Sequence, residues 1–155
     1  SAIKVAGLVI DTVDEIVHGA VLGKRGIASL ITSWCETGFV EQLFELLLSH
    51  GYHVYLTADH GNVEAVGAGR INEGALPDLR GERARAYRNE ILRDQALVTC
   101  PTAVELKIPG LPESFLPVFA AERTAFVTKG EQLVVHGGIS VEELIVPFVK
   151  ISRAS

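Results

Sequence analysis

The sequence predicts an α/β fold, a mostly parallel sheet flanked by helices, and three observations carry that prediction. Residues 3–10 (IKVAGLVI) form an apolar, β-rich run of the kind found in a strand buried on both faces. Residues 38–50 (GFVEQLFELLLSH) place Phe39, Val40, Leu43, Phe44, Leu46 and Leu47 at helical spacing. Residues 52–57 (YHVYLT) return to a β-like apolar pattern with only Gly51 between. Strand, helix and strand in that order, the last two joined by one glycine, describe a wound parallel sheet.

The elements follow from local chemistry. Asp11 and Thr12 end the first strand and are expected to cap a turn into a short helix bearing Asp14 and His18. In the next helix Glu41 lies near the positive N-terminal end, and Gly51 is placed as the stop. Residues 62–112 have weak periodicity and many glycines and prolines, so they are predicted to be irregular cap or active-site loops, with a short helix over 84–94. Further short strands are predicted at 124–127, 132–135 and 144–151. No repeat or low-complexity tract interrupts the order.

A length of 155 residues favours a single domain, residues 1–155, with room for an apolar core. Hydrophobic residues at 48% and charged residues at 21% exclude a disordered tail or a fibrous repeat. No apolar run is long enough to span a bilayer, and the opening residues lack a secretory cleavage pattern, so a cytoplasmic protein with no membrane partner is expected. Cys35 and Cys100 stand far apart without a CxxC spacing, which predicts buried thiols rather than a disulfide framework. A net charge of −5 excludes a broad positive field for nucleic acid. The chain has no methionine and reads at once into a strand, and the expectation is a piece of a longer protein.

Candidate chemistry lies in three His-Gly pairs in acid-rich or loop settings: His18 in DTVDEIVHG, His60 in ADHGN and His136 in VVHGG. Neutral imidazoles and carboxylates are the ligands that zinc- or manganese-like ions accept. Asp14 and His18 are four apart, so one helical turn aims both at one point. Asp59 and His60 are adjacent just past a strand end, at the edge where parallel sheets bind ligands. Against this, an Asp-x-x-x-His pair on a helix is usually only a solvated pair, and it is the combination that points to metal. His53 alternates with Tyr55 and Thr57 and reads as a packed histidine, while His50 ends a helix, where positive charge is favourable. Glu64 faces either a ligand or the loop backbone.

These residues carry a resemblance. The segment YLTADHGN, residues 55–62, resembles the late metal-binding motif of the alkaline phosphatase superfamily and is similar to that of cofactor-independent phosphoglycerate mutases. Asp14-x-x-x-His18-Gly19 matches the superfamily's preceding motif. Residues 128–151 (TKGEQLVVHGGISVEELIVPFVKI), with ADHGNVEAVGAG and RGERARAYRN, look like the PglZ family, a branch found in bacterial phage-resistance systems of the Pgl and BREX type. The likeness runs along nearly the whole chain and implies an alkaline phosphatase-like half-domain. It also implies a phosphohydrolase or phosphodiesterase centre with two divalent ions, zinc or manganese, about 3.5–4 Å apart. By position, Asp14, His18 and His136 would hold one ion, and Asp59 and His60 the other with residues from an earlier part of the protein.

The superfamily takes its nucleophilic serine or threonine from a strand well upstream of Asp14, and too few residues precede Asp11 here to supply it. Thr12 stands too close to Asp14 and His18 to replace it. The resemblance therefore implies that the upstream half of the same protein completes the site, and that this chain alone is not a competent hydrolase. Five arginines (Arg80, Arg83, Arg85, Arg88 and Arg93) cluster after the DHG motif, with Glu82 and Glu90 among them. Either they face water, or Arg83 and Arg85 grip a phosphoester substrate such as a nucleotide or nucleic acid. Two further readings stand beside the hydrolase: a non-catalytic module that binds other phage-defence proteins, and a mutase-like phosphotransferase.

Overall fold

The computed structural model describes residues 4–19, 23–71 and 79–153; the side chains of His18, Leu79 and Arg80 are outside that set. In chain order the elements are α1 (Thr12–Gly19), α2 (Gly23–Glu36), α3 (Phe39–Ser49), β1 (Val54–Thr57), β2 (Val63–Gly67), β3 (Leu79–Arg80) and β4 (Ala84–Tyr87). They continue as α4 (Glu90–Thr99), β5 (Ala103–Glu105), β6 (Leu116–Ala120), β7 (Thr124–Ala125), β8 (Gln132–Val135), α5 (Val141–Leu144) and β9 (Phe148–Ile151).

The α/β content agrees with the sequence, whereas the mostly parallel sheet does not. The strands form three small sheets: β1 with β9, β7-β2-β8, and β3-β4-β6-β5. Among the described residues only β2 and β7 pair in parallel, and every other pair is antiparallel. The expected first strand supplies the reason. Its described residues, 4–10, adopt no regular structure and are largely exposed, with Val5 at 90%. A β-rich run becomes a strand only when a neighbour completes its hydrogen-bond ladder. Without that strand there is no strand–helix–strand crossover to make a parallel sheet.

The predicted helix is realised as α3. Gly38 opens it at a positive φ of 79°, and Gly51, at φ 80°, closes it. At the closing end Gly51 N–H donates to Leu48 O and Tyr52 N–H to Leu47 O, which satisfies two terminal carbonyls as a Schellman motif does. His50 follows the last turn with Nδ1 2.8 Å from Leu46 O.

Residues 62–112, expected as irregular loops, contain β2 to β5 and α4. The helix predicted over 84–94 is instead a strand, β4, followed by α4. Asn89 divides them by accepting a 2.8 Å hydrogen bond from Ile91 N–H at the N-cap of α4. Helix α4 packs on the four-stranded sheet, and between them lies the larger core, built on Ile71, Tyr87, Ala96, Cys100, Val118, Ala120 and Phe126. A smaller core of Val63, Ala65, Ala125 and Val135 sits in the three-stranded sheet. There β2 alternates buried and exposed residues, as a half-covered strand should. Cys100 is buried as expected, but Cys35 is exposed. No helix of the described residues is long and apolar enough to cross a membrane.

Candidate metal centre

Strand register builds the site. Strands β2 and β8 are antiparallel with Val63 opposite Val135. The chain approaching β2 from His60 therefore passes beside the chain leaving β8 at His136. Their rings stack at 3.9 Å between centroids, 23° from parallel. Helix α1 contacts β8 and brings Asp14 to the same place. Ligand atoms of Asp14, His60 and His136 all lie within 4.8 Å of one another.

The donor set suits a divalent ion. One carboxylate and two imidazoles are a common zinc or manganese complement, and three protein ligands leave a coordination position open for reacting groups. With bonds of about 2.0–2.1 Å, neighbouring ligand atoms stand roughly 3.3 Å apart, so closing this cluster needs only small side-chain shifts. His60 Nδ1 is 3.2 Å from Gly61 O. A carbonyl only accepts, so the proton belongs on Nδ1, and Nε2 presents its lone pair to a ligand. Asp14 is exposed and the two histidines half-buried, which leaves the cluster open to solvent on one side.

The other expected residues fall differently. Asp59 is exposed and outside the three-residue cluster. Its Oδ1 accepts the His60 backbone N–H at 3.1 Å, and its Oδ2 is 3.8 Å from His60 Nε2. His60 thus lies near Asp59 as well as beside Asp14 and His136. His18 lies on α1 as expected, but its side chain is outside the described residues. Glu64 turns to the backbone, accepting from Lys24 N–H at 2.8 Å at the start of α2.

Arg83 and Arg85 are both buried. Arg83 meets Glu143 through a two-point fork, Nε to Oε1 at 3.0 Å and Nη2 to Oε2 at 2.8 Å, and its Nη1 donates to Thr124 O. Arg85 lies over the Phe126 ring, 5.4 Å from its centroid. Arg83 is 1% exposed, so its fork faces a carboxylate partner rather than an open cleft.

Glu143 is a residue of this neighbourhood that the sequence does not single out. Its carboxylate also accepts from Gly138 N–H at 2.8 Å and from the Ser140 N–H and hydroxyl at 3.1 and 2.7 Å. Burial pushes its carboxyl up, but the hydrogen bonds from Arg83, Ser140 and Gly138 outweigh that and hold it down at about 2. The signal was present in Ser140-x-x-Glu143, the spacing of a helix capping box. Two glycines close to the histidines in sequence also gain a reason. A Cβ on Gly138 would press on the Arg83 and Glu143 side chains, and one on Gly61 would overlap the Glu142 carbonyl oxygen. Both are glycine because α5 and its ion pair approach so closely.

The sequence model described as the BREX system PglZ alkaline phosphatase-like domain matches residues 2–151. No curated protein matches the chain.

Proposed function

Because the chain belongs to the PglZ family of BREX-system alkaline phosphatase-like domains, we propose that it supplies metal ligands to a phosphohydrolase or phosphodiesterase centre used in phage defence. The observation that carries this reading is the convergence of Asp14, His60 and His136 from three separated segments. Asp59 and His18 flank that cluster in sequence and complete the proposed ligand set for two ions. When bound, such ions polarise a phosphoryl oxygen and lower the pKa of coordinated water. The chain's own residues orient and bind: the Asp14 carboxylate sets the local negative charge, and the His60 and His136 rings fix the direction of approach.

The nucleophile is proposed to come from the upstream half of the same protein, and the substrate to be a phosphoester of a nucleotide or nucleic acid. Two features support an upstream partner: the mostly apolar and largely exposed run 4–10, and the exposed apolar side chains Leu56, Phe148 and Val149 on the β1/β9 ribbon. Arg83 serves this reading through its hold on Glu143, not through a substrate contact.

The test uses a longer form of the protein that includes the sequence preceding Ser1, measured for bound zinc and manganese by elemental mass spectrometry and for hydrolysis of bis(p-nitrophenyl) phosphate. Asp14→Ala and His136→Ala are expected each to lower metal content and to cut hydrolysis at least a hundredfold. Metal-free protein with intact phage resistance in both variants would favour a non-catalytic assembly role instead.

A further inference from the structure

Both stacked histidines are tied to one residue. Glu143 holds Gly138, two residues after His136, through its side chain, and its main-chain carbonyl accepts the N–H of Gly61, next after His60, at 2.9 Å. Arg83 then fixes the Glu143 carboxylate and anchors it to the Thr124 carbonyl in β7. Sixty residues separate Arg83 from Glu143, so the link joins the four-stranded sheet to the loops of the candidate metal centre.

We propose that Arg83 and Glu143 form a buried brace whose role is to set the spacing of His60 and His136, making both positioning residues for the metal site. The inference rests on the metal-ligand reading above and names the part of the molecule that makes it work. The two side chains hold Gly138, Ser140, the Thr124 carbonyl and each other. Their effect passes through two backbone N–H groups, at Gly61 and Gly138, and through the rigidity of α5. Groups that orient first ligands in this way commonly govern metal affinity by ten- to a hundredfold.

Three variants of the chain separate positioning from bulk stability: Glu143→Gln, Arg83→Lys, and the double replacement Arg83→Met with Glu143→Leu. The double variant replaces the ion pair by apolar volume, which often restores stability, but leaves Gly138 and Ser140 N–H without an acceptor. Calorimetric titration with Zn²⁺ or Mn²⁺ alone is expected to show at least tenfold weaker binding in all three. Thermal stability is expected to recover in the double variant. Affinity that returns along with stability would overturn the brace and leave an ordinary structural ion pair.

Amide hydrogen exchange supplies a readout independent of metal. Exchange at Gly61, Gly138 and Ser140 should quicken at least tenfold in Glu143→Gln, and the ring resonances of His60 and His136 should shift with it. Unchanged exchange and unchanged ring signals would sink the brace whether or not metal binds. A wild-type chain that takes up neither ion, yet shows these exchange changes on substitution, would instead count against the metal reading while leaving the brace in place.

Discussion

At the scale of single residues, Glu143 concentrates the most chemistry. It is 2% exposed and carries five hydrogen bonds on two carboxylate oxygens. Its folded pKa of about 2 lies below the ordinary 4.5, so the native state favours the ionised form. That contribution is complete above pH 4.5 and is lost as pH falls toward 2, where the unfolded chain takes up the proton first. Linkage puts it on the order of 3 kcal/mol. Urea melts between pH 7 and 2.5 should show this acid-side loss, and Glu143→Gln should flatten it while lowering stability at neutral pH. An equally steep acid limb in the variant would assign it to other carboxylates. The residue was half legible: Ser140-x-x-Glu143 announces a cap, but its partner Arg83 lies sixty positions away, and no local pattern encodes that pairing. For the same reason the arginine run read as a solvated face or a phosphate grip. Charge in a sequence says nothing of the carboxylate that folding will bring to it.

At the scale of elements, legibility followed how local the determining physics is. Helix α3 could be read because its apolar spacing and two glycines are all contained within it. Strand β8 fell where its apolar run predicted. Residues 4–10 could not be read, since their strand propensity is realised only by a partner strand. The run 84–94 suggests a helix because alanine and arginine are strong helix formers, whereas Asn89 delays the helix until Glu90. The Asn89 cap therefore offers a clean perturbation far from the metal cluster. Asn89→Ala removes the acceptor for Ile91 N–H and should cost about 1 kcal/mol in chemical denaturation. Because α4 belongs to the four-stranded sheet, the variant should bind Zn²⁺ as the wild type does. A parallel drop in affinity would mean that the site senses general stability, and the effects of Glu143 substitutions would need the same explanation.

At the scale of the whole molecule, the apolar surface is unevenly covered. Strands β1 and β9 form a two-stranded ribbon in which Tyr55 and Phe148 stack at 5.4 Å, yet Phe148 is 74% exposed. On the opposite face by alternation Val54 is buried, but Leu56 and Val149 are exposed. A ribbon of two strands is marginal in water unless a face is covered, and a contiguous apolar patch of this kind marks a surface that another element covers. Residues 4–10, with Val5 and Val9 almost wholly exposed, add a second such surface. If the upstream half of the protein supplies the missing cover, the 155-residue chain should bind a hydrophobic dye and self-associate in sedimentation. A longer form that includes the preceding sequence should do neither, and its β1 and β9 amides should exchange at least a hundredfold more slowly. A 155-residue chain that stays monomeric, ignores the dye and already protects those amides would show that the ribbon is stable uncovered.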